Sequence, residues 1–178
     1  MEAMRAADPL FPLLDAAREG DDAAMTELVR RTQPEVWRLC VALGSRTDAE
    51  DLVQDTYLRA MSAAPRFRGD ASVRTWLLTI ARNTCADHVR RNQRQRRLLR
   101  AVRAARPEAE VRDPRRHTHQ LLDLLSEERR EAFVLTQLLG LSYEEAAETL
   151  GCPIGTVRSR VARARGDLLA AEQAAQAL

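Results

Sequence analysis

Residues 142–165, SYEEAAETLGCPIGTVRSRVARAR, predict two short helices joined by a tight turn. Ser142 and Glu145 have the spacing of a capping box, in which each side chain bonds the other residue's backbone N–H, so a helix begins there. Gly151 allows the chain to reverse, and Pro153 suits the first turn of the second helix. The stretch therefore has the pattern of a helix-turn-helix.

The second of these helices has an apolar side and a slim, basic side. At about 100° per residue, its inward positions are Ile154, Val157, Val161, Ala164 and Leu168. The outward and flanking positions are Thr156, Arg158, Ser159, Arg160, Arg163 and Arg165. Arginine on a slim helix can read guanine or bind phosphate in the DNA major groove. We therefore expect duplex DNA binding, although a helical hairpin with a solvated arginine face has the same charge pattern.

The composition favours a helical intracellular protein. Of the 178 residues, 45% are hydrophobic and 4% are aromatic, a balance that favours helices over strands. The sequence has no apolar run long enough to span a membrane, and residues 1–10 lack the plan of a signal peptide. Three widely spaced cysteines, Cys40, Cys85 and Cys152, indicate a reducing compartment. We expect a cytoplasmic protein.

Charge is distributed unevenly along the chain. The net charge is +2, but residues 1–60 carry −5, residues 61–106 carry +10 and residues 107–178 carry −3. A basic centre between acidic ends predicts a polyanion at the centre and a protein partner elsewhere. All 28 basic residues are arginine, as a high-GC coding bias would produce.

Apolar periodicity predicts an all-α fold of two small helical domains joined by a flexible linker. We expect the first domain at residues 10–92, the linker at 93–117 and the second domain at 118–172. Within the first domain we expect a helix break near Gly20, a new helix at Pro34 and a capping box from Thr47 to Glu50. Pro107 and Pro114 interrupt the linker.

The helix predicted over residues 48–62 carries one outward leucine. Leu58 falls almost opposite the apolar side, beside Asp51, Gln54 and Asp55. An exposed leucine among acids would anchor a partner protein. Single exposed leucines are also common, so the pattern leaves both interpretations open.

The segment after this helix has features that suit nucleic acid. Residues 65–70, PRFRGD, form a loop whose aromatic ring and arginines would hold a single strand, or would plug the core while the arginines stay solvated. The helix of residues 72–92 has an outward side with cations and hydrogen-bonding groups but almost no acids, namely Ser72, Thr75, Thr79, Arg82, Asn83, Ala86 and Arg90. Trp76 lies at the inward edge, where core packing is the favoured role.

Three segments together resemble the extracytoplasmic-function sigma factors, the small two-domain class of the sigma-70 family. DAEDLVQDTYLRA (48–60) is similar to the segment that docks on the β′ clamp helices of RNA polymerase. FRGDASVRTWLLTIARNTCADHVRR (67–91) is similar to the segment that melts the promoter and reads the minus-ten element. LSEERREAFVLTQLLGLSYEEAAETLGCPIGTVRSRVARAR (125–165) is similar to the domain that reads the minus-thirty-five element.

The resemblance implies a promoter-specific initiation factor that binds core RNA polymerase and helps to open the duplex. It implies no catalysis and no cofactor, a contact between the second domain and the polymerase β flap, and an anti-sigma factor as partner. Polymerase docking would involve Asp48, Asp51, Leu52, Gln54, Asp55 and Leu58. Minus-ten contacts would involve Phe67, Arg68, Arg74, Trp76, Asn83 and Arg90. Duplex contacts at minus thirty-five would involve Thr156, Arg158, Ser159, Arg160, Arg163 and Arg165.

Three other classes fit the sequence less well. Cys85 and His88 lie one helical turn apart, but zinc needs about four convergent ligands, so we expect no metal site. The sequence has no P-loop, dinucleotide-binding glycine motif or GxSxG, so we expect no enzyme. A response regulator or repressor would also end in a helix-turn-helix, but a receiver domain needs strands, and residues 1–92 show no strand pattern.

Overall fold

The computed structural model describes the backbone of residues 8–102 and 121–176, with side chains for residues 8–95 and 121–176, and every regular element in these ranges is helical. The first domain contains α1 (Phe11–Arg18), α2 (Asp22–Leu39), α3 (Ala49–Ala63) and α4 (Val73–Val102). The second domain contains α5 (Glu127–Phe133), α6 (Tyr143–Leu150) and α7 (Ile154–Gln176). Wide π-helical turns extend α2 over Cys40–Gly44 and α5 over Val134–Leu138. The all-α prediction is confirmed.

The helical conformation is interrupted where the sequence predicts it, between α1 and α2. Gly20 has a φ of 98°, a left-handed conformation that favours glycine. Asp21 then caps α2, because its Oδ1 accepts hydrogen bonds from the backbone N–H groups of Ala23 and Ala24 at 2.9 and 3.0 Å.

The prediction that a new helix begins at Pro34 is wrong, because α2 runs through this proline without interruption. The apolar stripe continues on both sides of it, with Leu28, Val36 and Leu39 each at most 3% exposed. A proline inside a helix costs about 3 kcal/mol, and burial of a side chain as large as Val or Leu contributes about 1.5–3 kcal/mol. Burial of the stripe therefore outweighs the hydrogen bond that Pro34 cannot donate.

One of the two predicted capping boxes forms and the other does not. In the Ser142–Glu145 box the backbone N–H of Glu145 donates to Ser142 Oγ at 3.1 Å, and that of Ser142 donates to Glu145 Oε2 at 2.8 Å. Thr47 does not cap α3, because its hydroxyl hydrogen-bonds Ser45 Oγ at 2.7 Å. Helix α3 begins after Asp48 instead, so the prediction of a Thr47 box is wrong.

The larger of two hydrophobic clusters passes through both domains. Leu77, Leu78 and Ala81 of α4 belong to the same buried cluster as Leu135 and Leu139 of the second domain. Helix α6 packs directly on α4, and α5 and α6 both pack on α7. The two domains of the chain are therefore closed against each other, and α4 lies between the first-domain helices and the second domain.

Candidate nucleic-acid and protein interfaces

The outer side of α3 exposes one leucine among polar groups. Leu58 is 63% exposed, and Asp51 and Gln54, which lie seven and four residues before it, are also exposed. This 3–4 residue spacing places them on one helical face. We call Asp51, Gln54, Asp55 and Leu58 the α3 outer face. Leu52 is 3% exposed and packs in the core, so it supports this face from beneath.

Side-chain contacts on either side of the α3 outer face join α3 to α4. Arg59 lies 3.0 Å from Asp55 and 2.9 Å from Asp87. The hydrogen bond from Arg59 lowers the pKa of Asp87, because the cation favours the charged carboxylate. At the other end, Asp48 Oδ2 lies 3.0 Å from His88 Nε2. Asp51, by contrast, makes no ion pair with any residue described in the structure, so its charge is available to a partner.

An aromatic cluster lies under the loop between α3 and α4. The ring centroid of Phe67 is 4.7 Å from that of Trp76 and 6.2 Å from that of Phe11. A cleft of about 360 Å³ opens beside them. Its walls include Arg66, Phe67, Arg68, Thr75, Trp76, Thr79 and, from the second domain, Glu148. Phe67 thus both plugs the small core around Phe11 and lines an open cleft, so the two interpretations of this loop are compatible.

The predicted outward side of α4 is only partly open to solvent, which corrects that expectation. Thr75 is 2% exposed and Ala86 is 5% exposed. Leu78, between them, is 1% exposed. The physical reason is the second domain, whose helix α6 covers this side of α4. Trp76 is partly buried against the core, as its inward-edge position predicts.

Two arginines of α4 bind the second domain. Arg82 Nε and Nη2 donate to the two carboxylate oxygens of Glu131 at 2.6 and 2.8 Å. Arg74 Nη2 donates to the backbone oxygen of Leu139 at 2.7 Å, while its Nε donates to Glu35 at 2.7 Å. The carboxylate partners raise the pKa of both guanidinium groups. In this closed form, Arg74 does not point into solvent as a DNA contact would require.

The other predicted minus-ten residues of α4 remain accessible. Asn83 is exposed and accepts a hydrogen bond from Arg82 Nη1 at 3.1 Å. Arg90 is 61% exposed in its side chain and lies 3.6 Å from Asp87. Arg68, on the loop before α4, is also exposed.

The helix-turn-helix forms as the sequence predicts and presents α7 outward. Gly151 ends α6 with a φ of 62°, and Val157, Val161 and Ala164 bury the inner side of α7 at 1% exposure or less. Arg158, Ser159 and Arg163 are exposed. The Arg158 guanidinium lies 5.9 Å from the centre of the Tyr143 ring, a cation–π distance that positions the side chain.

Three predicted duplex-binding residues of α7 are engaged or partly covered. Arg160 lies 3.7 Å from Glu128, and Arg165 donates to the side-chain oxygen of Gln137 at 2.6 Å. Thr156 is partly buried. The contacts of Arg160 and Arg165 attach the flanks of α7 to α5 and its π-helical extension, and the exposed members of the predicted set are Arg158, Ser159, Arg163 and Arg165.

The part of the chain that the structure describes contains neither a cluster of metal-ligating side chains nor a membrane-spanning helix. No three side chains of the His, Cys, Asp and Glu types converge there on a common point. None of the described helices combines the length and apolarity needed to cross a bilayer.

Comparison with known proteins identifies both domains. The family model for Sigma-70 region 2 matches residues 28–95, and the model for Sigma-70, region 4 matches residues 116–168. The probable RNA polymerase sigma-C factor of Mycobacterium bovis is 48% identical over 164 residues, covering 87% of this chain and 86% of that protein. The chain belongs to the extracytoplasmic-function sigma factors. It is therefore a promoter-specific transcription initiation factor that works with RNA polymerase and is not an enzyme.

Further relatives agree with this assignment. The extracytoplasmic-function RNA polymerase sigma-E factor of Escherichia coli K12 is 34% identical over 169 residues, with 86% of this chain and 88% of that protein covered. The solved structure of CnrH in complex with the cytosolic domain of CnrY has a TM-score of 0.71 at 31% identity, covering 91% of this chain and 96% of that one. The structure of the sigma factor RpoE in complex with the anti-sigma factor NepR, from Bartonella quintana, has a TM-score of 0.69 at 33% identity. The match covers 81% of this chain and 93% of that one.

Sequence reasoning missed the residues of the second domain that contact α4. Glu131, the backbone oxygen of Leu139, and Glu148 approach α4 or its cleft. The sequence contained one signal: Glu131 directly precedes the core residue Ala132, on the inward side of a predicted helix. A charge at an inward position needs a partner, but the sequence does not say where that partner lies.

Proposed function

We propose that this sigma factor uses three separate surfaces: the α3 outer face for core polymerase, the loop and α4 for the melted minus-ten strand, and α7 for the minus-thirty-five duplex. The observation that carries the proposal is Leu58, which is 63% exposed on a helix whose inward apolar residues, from Ala49 to Ala60, are buried. An apolar side chain centred among acids fits a partner with a basic rim and an apolar pocket.

The polymerase contact that we propose is with the clamp helices of the β′ subunit. Asp51, Gln54, Asp55 and Leu58 would contact it directly. Asp48 would hold α3 against α4 through His88, and Leu52 would support the face from the core. The second domain would dock on the β flap.

The cleft beside Phe67 is suited to an unstacked base. Its volume of about 360 Å³ falls within the range of small-molecule sites, and aromatic rings and arginines lie along its wall. A base that is read individually must first leave the helical stack. We propose that Phe67, Arg68 and Trp76 surround such a base, and that Arg74, Asn83 and Arg90 contact the same strand along α4.

Helix α7 would read the duplex from the major groove. Arg158, Ser159 and Arg163 lie on its open side, and Thr156, Arg160 and Arg165 lie at the margins. The Tyr143 ring holds the Arg158 guanidinium near the tip of the motif, where a side chain of this kind reaches base edges.

The remaining assignments follow from this arrangement and from the relatives. We propose domains at residues 10–92 and 118–172 with a linker at 93–117, a cytoplasmic location beside the polymerase, and no cofactor. CnrH was solved in complex with the cytosolic domain of CnrY, and RpoE was solved in complex with NepR, which is named as an anti-sigma factor. We propose that an anti-sigma factor also regulates this chain.

The decisive test is Leu58→Arg. Burial of an exposed leucine contributes about 1.5–3 kcal/mol, so replacing it with a charge is expected to weaken binding to core polymerase at least about tenfold. Gln33→Arg is the matched control, because it adds the same charge at an exposed position on α2, away from the α3 outer face. The measurements are co-purification with core polymerase and run-off transcription from a pool of genomic promoters. Unchanged holoenzyme assembly by Leu58→Arg would refute the docking assignment.

A further inference from the structure

Helix α1 contributes to the cleft beside Phe67, although it precedes the Sigma-70 region 2 match. That match begins at residue 28, whereas α1 covers Phe11–Arg18. The ring centroid of Phe11 lies 6.2 Å from that of Phe67, and the Phe67 ring in turn lies 4.7 Å from Trp76. Phe67, a residue of the cleft wall, therefore contacts one ring from α1 and one ring from α4.

One carboxylate joins the starts of these two helices. Oδ1 of Asp8 accepts a hydrogen bond from the backbone N–H of Leu10, just before α1, at 2.9 Å. Oδ2 of Asp8 accepts a hydrogen bond from the backbone N–H of Val73, the first residue of α4, at 2.6 Å. The Asp8 side chain thus links two segments that lie 65 residues apart in the sequence.

The bond to Val73 satisfies a donor that α4 itself cannot satisfy. The first N–H groups of a helix have no partner within the helix, and Val73 is 0% exposed. Ser72 serves another of these groups, because its Oγ accepts a hydrogen bond from the N–H of Thr75 at 3.1 Å. Removal of the Asp8 carboxylate would leave the Val73 N–H buried without this acceptor, a costly state that a shift of the first turn of α4 would relieve.

The same two bonds set the positions of both rings that contact Phe67. Phe11 follows Asp8 by three residues, and Trp76 follows Val73 by three residues, so each ring lies within about one helical turn of a bonded group. Residues 67–72, which include Phe67, form no regular element. The rings on the two helices therefore determine where the Phe67 ring lies.

We propose that Asp8 is a positioning residue for capture of the minus-ten strand, because it fixes the start of α1 to the start of α4 and so holds the cleft in the shape that accepts an unstacked base. Asp8 does not touch the strand and acts through the rings of Phe11, Phe67 and Trp76. This inference rests on the proposed function of the cleft. It extends the minus-ten surface to a helix that lies outside the family match.

The test measures, by anisotropy, binding of holoenzyme to a fluorescein-labelled single strand with the minus-ten segment of a promoter selected by run-off transcription. Asp8→Ala is expected to weaken this binding about tenfold, because loss of one base–aromatic stack weakens strand binding by roughly 5- to 150-fold. Asp8→Asn keeps one acceptor oxygen and can serve only one of the two N–H groups, so an intermediate affinity is expected. Holoenzyme assembly should be unchanged in both variants.

Asp21→Ala is the matched control, because it also removes a carboxylate that caps a helix of the first domain. Asp21 is exposed, accepts hydrogen bonds from the N–H groups of Ala23 and Ala24, and does not line the cleft. Both alanine variants are expected to lower the urea midpoint of the first domain. Only Asp8→Ala should weaken binding of the strand.

A spectroscopic measurement on the free chain tests the positioning directly. The chain has two tryptophans, so a Trp37→Phe background leaves Trp76 as its single tryptophan. In that background Asp8→Ala is expected to shift the emission of Trp76, because the first turn of α4 and the neighbouring Phe67 ring move. Asp21→Ala is expected to leave this emission unchanged.

Phe67→Ala separates the inference from the function on which it rests. Equal strand binding by wild type and Phe67→Ala would overturn the proposed cleft itself. Weaker binding by Phe67→Ala together with wild-type binding by Asp8→Ala would overturn only the positioning role. Equal weakening by Asp21→Ala would also overturn that role, since the loss would then follow from general destabilisation. If Asp8→Ala does not fold, Asp8→Asn decides, and wild-type affinity in that variant counts against the proposal.

Discussion

Gly44 is a position in the first domain where the addition of one methyl group should be disruptive. A Cβ at Gly44 would overlap with Leu52 Cδ1 and would lie 3.5 Å from Cys85 Sγ. Leu52 is 3% exposed and Cys85 is 1% exposed, so neither side chain has free space into which it can move. We predict that Gly44→Ala destabilises the first domain and displaces α3, the helix that carries Leu58.

The expected change in the free energy of unfolding is the difference between two opposing effects of Gly44→Ala. Overpacking a close-packed core by one methyl group costs about 1–3 kcal/mol. Replacing glycine with alanine also reduces the conformational entropy of the unfolded chain, which stabilises by about 0.4–1 kcal/mol. The net expectation is a loss of about 1–2 kcal/mol in the free energy of unfolding. Because m is about 1–3 kcal/mol per molar urea, the unfolding midpoint should fall by roughly 0.5–1 M.

Tryptophan fluorescence can report the unfolding of the first domain, and a second glycine offers a control substitution. Both tryptophans, Trp37 and Trp76, lie in the first domain, so their fluorescence follows its unfolding in urea. Gly166 lies in α7, and a Cβ there would meet nothing within 4 Å. Gly166→Ala should therefore stabilise α7 by about 0.5–1 kcal/mol, measured by circular dichroism. A Gly44→Ala midpoint equal to or above that of wild type would refute the packing argument.

Two further predictions concern charge. Arg158→Ala should weaken binding to a promoter duplex by about 1–3 kcal/mol, measured by anisotropy, if Arg158 reads a base with two hydrogen bonds; an equal loss on a random duplex would reduce its role to phosphate contact. Glu27 accepts hydrogen bonds from Arg30 and Arg31, which lower its pKa from the ordinary value of 4.5 to about 2. The stabilising effect of the charged Glu27 is therefore fully present above pH 4.5 and is lost as the pH falls towards 2. A carboxyl carbon NMR titration with a midpoint near 4.5 would contradict this.

Much of the chain follows from local sequence patterns, because those patterns act over one or two helical turns. The Ser142–Glu145 box and the left-handed Gly151 define the helix-turn-helix without help from distant residues. The exposure of Leu58 follows equally from helical periodicity, because the rest of its helix has a well-defined apolar side. The predictions from local patterns were wrong at Pro34 and Thr47. At Pro34 burial of a continuous apolar stripe decided the outcome, and at Thr47 a nearby hydroxyl competed for the side chain.

Only the tertiary structure shows that the second domain closes on α4. The sequence pattern of Thr75, Arg82 and Ala86 describes a surface with few acids, and such a surface suits either a nucleic acid or a protein that supplies its own acids. Here Glu131 supplies the charge and α6 supplies the cover. Periodicity reports which side of a helix is polar, but it carries no information on which distant residue meets that side. The physical reason is that such pairing depends on the packing of the whole chain, whereas helical patterns depend on neighbours three and four residues away.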